Sequence, residues 1–166
     1  MSERADYLAG RTVGLKPALW SGFVAGVRQW TDSPEEWDQG AEGYARRYGS
    51  YYGRLVVQQG LKFGLEPVFK EDSRYMPSTK SGFLPRLSHA LVSPFLARKP
   101  DGARRLALAT LAAYAGAGYV AAQWCPPSHS TASYGLRATG LSIGFNMVGN
   151  AAREFSPELK RAFRRK

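Results

Sequence analysis

Residues 49–67 read GSYYGRLVVQQGLKFGLEP, and the fold turns on whether this stretch is a helix. Gly49, Gly53, Gly60 and Gly64 interrupt it. Each costs about 0.8–1 kcal/mol relative to alanine inside a helix. The glycines nevertheless fall at helical spacing. Ala41, Ala45, Gly49, Gly53, Val56, Gly60 and Gly64 are three or four residues apart and share one face. A face of small residues lets another backbone come close, as at helix interfaces in membranes, and the same packing serves inside a soluble bundle. Glycines four apart recur at Gly10/Gly14, Gly22/Gly26 and Gly140/Gly144. The helix-packing interface is therefore expected at Gly49, Gly53, Gly60, Gly64, Gly140 and Gly144. Bulk at Gly53 or Gly60 should disrupt it, and loss of Arg54 should matter less. Arg46, Arg47, Arg54 and Lys62 keep this helix out of hydrocarbon as a whole. Tyr44, Tyr48, Tyr51 and Tyr52 would suit the headgroup level of a membrane surface.

Working outward, helix signals dominate. Upstream, Pro17 opens PALWSGFVAGVRQW, and Ser33, Pro34 and Glu36 form a capping-box start. The next strong stop is Pro67, so either one helix spans about 34–65 or two meet near Gly40 and Gly43. Downstream, EDSRYMPSTKSG reads as a loop, LPRLSHALVSPFLARK as a short helix kinked at Pro94, and KPDG as a turn. ARRLALATLAAYAGAGYVAAQW and STASYGLRATGLSIGFNMVGNAAREF read as helices. SPELKRAFRRK reads as a further one, capped by Ser156 with Glu158 in its first turn. Convincing strand alternation is missing. The expected fold is all-α: a single domain over 1–166 with five or six closely packed, glycine-rich helices. An irregular arm occupies 1–16 and a basic helix 156–166.

Residues 106–122 carry no charge, with Arg104 and Arg105 at one end and Trp124 at the other. That length is at the lower edge for a membrane span, and the basic end would then be cytoplasmic. The segment is rich in alanine and glycine, so a buried or interfacial helix reads the same way. With the glycine-rich segment that follows, it leaves room for one membrane-embedded or interfacial hairpin.

The 166 residues carry a net charge of +10 with 13% aromatics, which favours an anionic partner. Arg46, Arg47, Arg104, Arg105, Lys160, Arg161, Arg164 and Arg165 are the residues expected to meet anionic lipid or an acidic partner. Cys125 is the single cysteine, so no intrachain disulfide or multi-cysteine metal site exists. The opening MSERADYLAG has charges of both signs and no apolar run, unlike a secretory signal.

Signals for chemistry are sparse. No P-loop, Gly-x-Ser-x-Gly, His-Glu-x-x-His or dinucleotide fingerprint occurs. Cys125 and His129, four apart in a proline-rich turn, make a poor ligand pair. His89 reads as an ordinary helix residue. Glu71 and Asp72 beside Arg74 read as a salt-bridged loop, although a carboxylate pair also suits acid–base work. Asn146, Asn150 and Glu154 form a polar stripe that either pairs with another helix or faces solvent. No catalytic residue, cofactor or metal ligand is assigned, and a non-enzymatic protein is expected.

EEWDQGAEGYARRYGSYYG, EDSRYM, RKPDG, WCPP and GNAAREFSPELKR together resemble an uncharacterised family of small bacterial envelope-associated proteins. That family usually has proline where Ser73 stands and tyrosine where Cys125 stands, and its members often begin with a signal peptide. The resemblance implies an envelope setting and nothing catalytic. The expected function is that of a membrane-associated structural or accessory subunit, whose partners are other envelope or membrane subunits and an anionic lipid surface. The alternative is a soluble basic helical module binding nucleic acid.

Overall fold

The structure, a computed structural model, describes residues 12–126 and 131–164 together with Asp6 and Gly10; for 131–132 and 159–164 it describes the backbone alone. Helix α1 (Leu15–Trp30) is followed by a single 3₁₀ turn (Glu35–Trp37) and the long α2 (Ala41–Phe69). After a loop come α3 (Phe83–Val92), a second 3₁₀ turn (Ser93–Phe95), and the short antiparallel strands β1 (Leu96–Arg98) and β2 (Arg104–Leu106). Helices α4 (Leu108–Ala122) and α5 (Thr131–Arg164) complete the chain. The fold is thus mostly helical, as the sequence implies, with one small sheet added.

Alanine at every fourth position makes α4 the centre. Ala109, Ala113, Ala117 and Ala121 are fully buried, and α4 packs on both α2 and α5. The approach to α5 is close because of Gly118: a methyl group there would lie 2.9 Å from the Gly135 carbonyl oxygen. Helix α1 packs on α2, and α3 on α5. Arg54 of α2 ties into α5, donating to the Ala138 carbonyl (2.8 Å) and the Ser142 hydroxyl (3.0 Å).

Several boundaries differ from the sequence reading, each for a local reason. The start at Pro34 yields only the 3₁₀ turn, because Asp38 and Gly40 adopt positive φ and break the chain before Ala41. Of the two alternatives, the structure takes the break near Gly40. Helix α2 does not stop at Pro67 but two residues on, where Lys70 turns left-handed. Arg104 and Arg105 are strand residues, not the first turn of α4. The helix begins later because the Glu71 carboxylate accepts from the amides of Leu108 (3.3 Å) and Ala109 (3.0 Å), capping it there. The turn between the strands is the expected KPDG, with Gly102 at φ +79° and its amide bonded to Lys99.

At the C-terminus no new helix begins at Ser156. Residues 156–164 are the last turns of α5, which runs through Pro157. Proline removes the amide that would bond the Arg153 carbonyl, and the Ser156 hydroxyl donates to that same oxygen at 3.0 Å. Most of the 1–16 arm lies outside the described residues; Asp6, Gly10 and Thr12 are helical, and Leu15 and Lys16 open α1. No helix among the described residues is long and apolar enough to cross a membrane, α4 having 15 residues. The 106–122 segment therefore resolves into the end of β2 and a helix buried along its alanine face, with Leu108, Tyr119 and Val120 exposed.

Candidate functional site

Polar residues of the 72–78 loop, α3, the hairpin, α4 and α5 converge at one end of α5. Glu154, 1% exposed, is the best-satisfied group there. It accepts from the Tyr75 hydroxyl, the Ser78 amide (3.0 Å) and Arg86 Nε (3.0 Å). Arg86 Nη2 also donates to the Glu154 carbonyl oxygen at 2.6 Å, and Nη1 reaches Glu158. Burial by itself raises a carboxyl, yet Tyr75, the Ser78 amide and Arg86 together hold Glu154 below its ordinary range. Burial and that carboxylate push the Tyr75 hydroxyl well above its usual value. The network fastens the loop and α3 onto α5.

Beside it lies a cavity of about 60 Å³. The loop contributes Asp72 and Arg74, which pair at 2.9 Å, so that Arg74 holds the Asp72 carboxyl below its usual value. The hairpin contributes Arg98 and Arg104, which stand directly opposite each other. His89 comes from α3, Thr110 from the first turn of α4, Lys62 from α2, and Asn146 and Asn150 from α5. Burial and the charges of Arg104 and Lys80 hold His89 below the ordinary imidazole value, against the pull of Glu154. His89 Nδ1 and Thr110 Oγ1 are buried without a hydrogen-bond partner among the described residues. Such atoms are uncommon in folded proteins, and each one asks for an acceptor or donor.

A second feature lies on α1. Pro17, Ser21, Val24 and Ala25 are buried toward α2. The opposite face carries Leu15, Leu19, Phe23, Val27 and Trp30, all exposed, Trp30 at 88%. Their spacing of four, four, four and three makes one continuous apolar stripe. No acidic residue occurs in α1, while Lys16 and Arg28 are basic. Scattered single apolar residues are ordinary on a protein surface, whereas these five are contiguous on one helix face.

The residues singled out from the sequence are scattered. Gly49, Gly60, Gly64, Gly140 and Gly144 would each accept a methyl group with no atom within 4 Å, and Gly53 would meet only the Trp124 ring at 3.8 Å. None of these six makes a close helix contact among the described residues. That role falls to Gly118 against Gly135, and Gly43 is pressed onto the carbonyls of Trp37 and Asp38.

Arg47 is a correction to the expected anionic contact. It is 0% exposed, and its guanidinium donates inward to the Gln29 side chain, Asp32 and the carbonyls of Ser33, Pro34 and Asp38. Arg46 is exposed and pairs with Glu42. Arg105 pairs with Asp101 at 3.4 Å, whereas Arg104, one residue away on the strand, lines the cavity. The side chains of Lys160, Arg161 and Arg164, and all of Arg165 and His129, lie outside the described residues. Glu71 is a helix cap rather than a free carboxylate, and Asp72 and Arg74 form the expected ion pair. Among the described residues no three His, Cys, Asp or Glu side chains gather as metal ligands do.

Sequence reasoning noticed the Asn146/Asn150/Glu154 stripe but not its partners, nor Arg98 and Thr110. Nothing in the local pattern marks those two. No protein-family model matches the sequence, and neither curated proteins nor solved structures give a match.

Proposed function

We propose that this is a non-enzymatic helical protein that lies on an anionic membrane surface and serves as an accessory subunit of an envelope assembly. The observation that carries the reading is the exposed stripe Leu15, Leu19, Phe23, Val27 and Trp30 on an α1 without acidic residues. An amphipathic helix of this kind rests in the interface plane, with its apolar face among the acyl chains and its basic residues among the headgroups. Fully burying a side chain such as leucine or phenylalanine is worth about 1.5–3 kcal/mol. Each basic residue near an anionic surface adds about 1 kcal/mol. The net charge of +10 favours such a surface. The envelope is the setting that the sequence resemblance implies. The outward glycine line of α2, with open space at Gly49, Gly60 and Gly64, is the face assigned to a partner subunit's helix.

Co-sedimentation with vesicles tests the reading. The protein should pellet with vesicles rich in phosphatidylglycerol and much less with phosphatidylcholine alone. The double variant Phe23→Ser, Trp30→Ser should stay in the supernatant with unchanged far-UV circular dichroism. Failure of the parent protein to pellet with anionic vesicles overturns the membrane reading. Salt-sensitive binding to duplex DNA without vesicle binding would put nucleic acid in its place, although buried Arg47 removes one of that reading's phosphate contacts.

A further inference from the structure

We propose that the cavity between the hairpin, α3 and α4 is a binding site for a phosphate-type tetrahedral oxyanion, held by Arg98, Arg104, Thr110 and His89. The inference rests on the cavity alone and not on the α1 stripe.

Charge is the first argument. The cavity is lined by the cations Lys62, Arg74, Arg98 and Arg104 and the single carboxylate Asp72; Lys62 pairs with Glu66 at 3.9 Å, so the excess charge rests on Arg98 and Arg104. Asp72 is already taken up by Arg74 in a two-pronged pair. Arg98 and Arg104 form no ion pair among the described residues, although they face each other across the strand pair. Like charges directly opposite in a ladder are unfavourable. An anion between the two guanidinium groups turns that repulsion into attraction, and guanidinium matches the geometry of phosphate oxygens in pairs.

The second argument is hydrogen bonding. Thr110 is only 2% exposed, yet its hydroxyl has no partner among the described residues, and the same is true of His89 Nδ1. Both side chains line this cavity. A hydroxyl or a neutral imidazole that presents its N–H is a donor that an oxyanion satisfies. The tautomer of His89 follows from this assignment: the proton sits on Nδ1 when the anion is bound. Asn150, 6% exposed, lines the same space and can offer its amide group. Water alone would meet the two buried atoms, but the two solvent-exposed arginines at the edge of the cavity supply the charge that favours an anion over water. The cavity exceeds the room one water needs and suits a small tetrahedral ion. Charge and size together select a phosphate or phosphomonoester dianion, whether free in solution or at the head of a lipid.

Calorimetric titration of the full chain with inorganic phosphate, at ionic strength fixed with potassium chloride, tests the site. Saturable heat is expected from phosphate but not from added chloride. Arg98→Gln and Arg104→Gln should each weaken binding at least about tenfold, the range of one charge-assisted hydrogen bond. Arg46→Gln, outside the cavity lining, should leave it unchanged. Thr110→Val keeps the shape of the side chain; it should melt at or above the parent temperature without phosphate and lose the rise that phosphate gives the parent. The chain has two histidines, so its imidazole NMR spectrum is simple. Phosphate should move the His89 signals and leave those of His129 in place. Repeating the titration with short-chain phosphatidic acid below its aggregation concentration separates the sources. Binding of both probes means the site accepts either source, and binding of the lipid alone means a headgroup site. No saturable binding of either probe, equal affinity in the arginine variants, or equal movement of both histidines would overturn the proposal.

Discussion

Arg86 and Glu154, 68 residues apart in sequence, clamp α3 to α5: Arg86 Nε meets the Glu154 carboxylate at 3.0 Å, and Nη2 meets its backbone oxygen at 2.6 Å. The carboxylate is fully withdrawn from water while the guanidinium is partly wet. Removing the carboxylate strands the Tyr75 hydroxyl and the Ser78 amide as well, and unmet buried partners cost about 1–3 kcal/mol. Glu154→Leu should therefore lower the thermal midpoint by several degrees.

The same network sets the acid stability. Glu154 ionises at lower pH in the folded protein than in the unfolded chain. Its contribution is therefore fully present above the unfolded glutamate value, about 4.3. It is lost as pH falls from there through the folded value, because the unfolded state binds the proton first. His89, also held below its ordinary value, has the same sign in a higher window, with loss beginning near pH 6.5. Thermal midpoints measured from pH 7 to pH 3 should fall in both windows. Glu154→Gln should flatten the lower one and His89→Gln the upper. Parallel curves for Glu154→Gln and the parent would show that the carboxylate contributes nothing to acid sensitivity.

Arg46 and Arg47 are neighbours in sequence with opposite fates. Arg47 is an internal bracket for the 32–38 turn, and its donors are spent on three carbonyls and two side chains. A lysine cannot reproduce that fork. Arg47→Lys and Arg47→Met should each cost about 2 kcal/mol or more in urea unfolding, since several buried acceptors are left unmet. Arg46→Gln should stay within about 0.5 kcal/mol, as is usual for an exposed pair. Similar losses for the two positions would refute the internal role.

These residues show how far the sequence could be read. The helices were legible because apolar spacing and glycine and proline punctuation act locally. The β1–β2 hairpin was not, since strands of three residues are too short to display a period of two. Arg47 was misread because a basic residue on a helix is solvated by default. Only the turn at 32–38, folded back over 9 to 14 residues, brings carbonyls to it. The stripe ending at Glu154 was visible, but its partners lie 68 to 79 residues away. The cavity arises from six elements that no local pattern relates, so Thr110 and Arg98 carried no signal at all.

The glycines divide by what a side chain would meet. At Gly118 a methyl group collides with backbone, the Gly135 oxygen at 2.9 Å and its Cα at 3.2 Å, and neither can swing aside. Gly118→Ala should therefore separate α4 from α5 and destabilise by about 1–3 kcal/mol, despite alanine's better helix propensity. At Gly60 a methyl group meets nothing within 4 Å. Gly60→Ala should raise stability by up to about 1 kcal/mol, or roughly 2–4 °C for a chain of this size. Gly60→Leu then isolates the proposed subunit contact. In the isolated protein it should melt at or above the parent temperature, because the space is open. In cells it should lose co-purifying partners, because the leucine occupies the room that a partner's backbone needs. A Gly60→Leu protein that keeps both its stability and its partners would place that glycine face in solvent and remove it from the assembly surface.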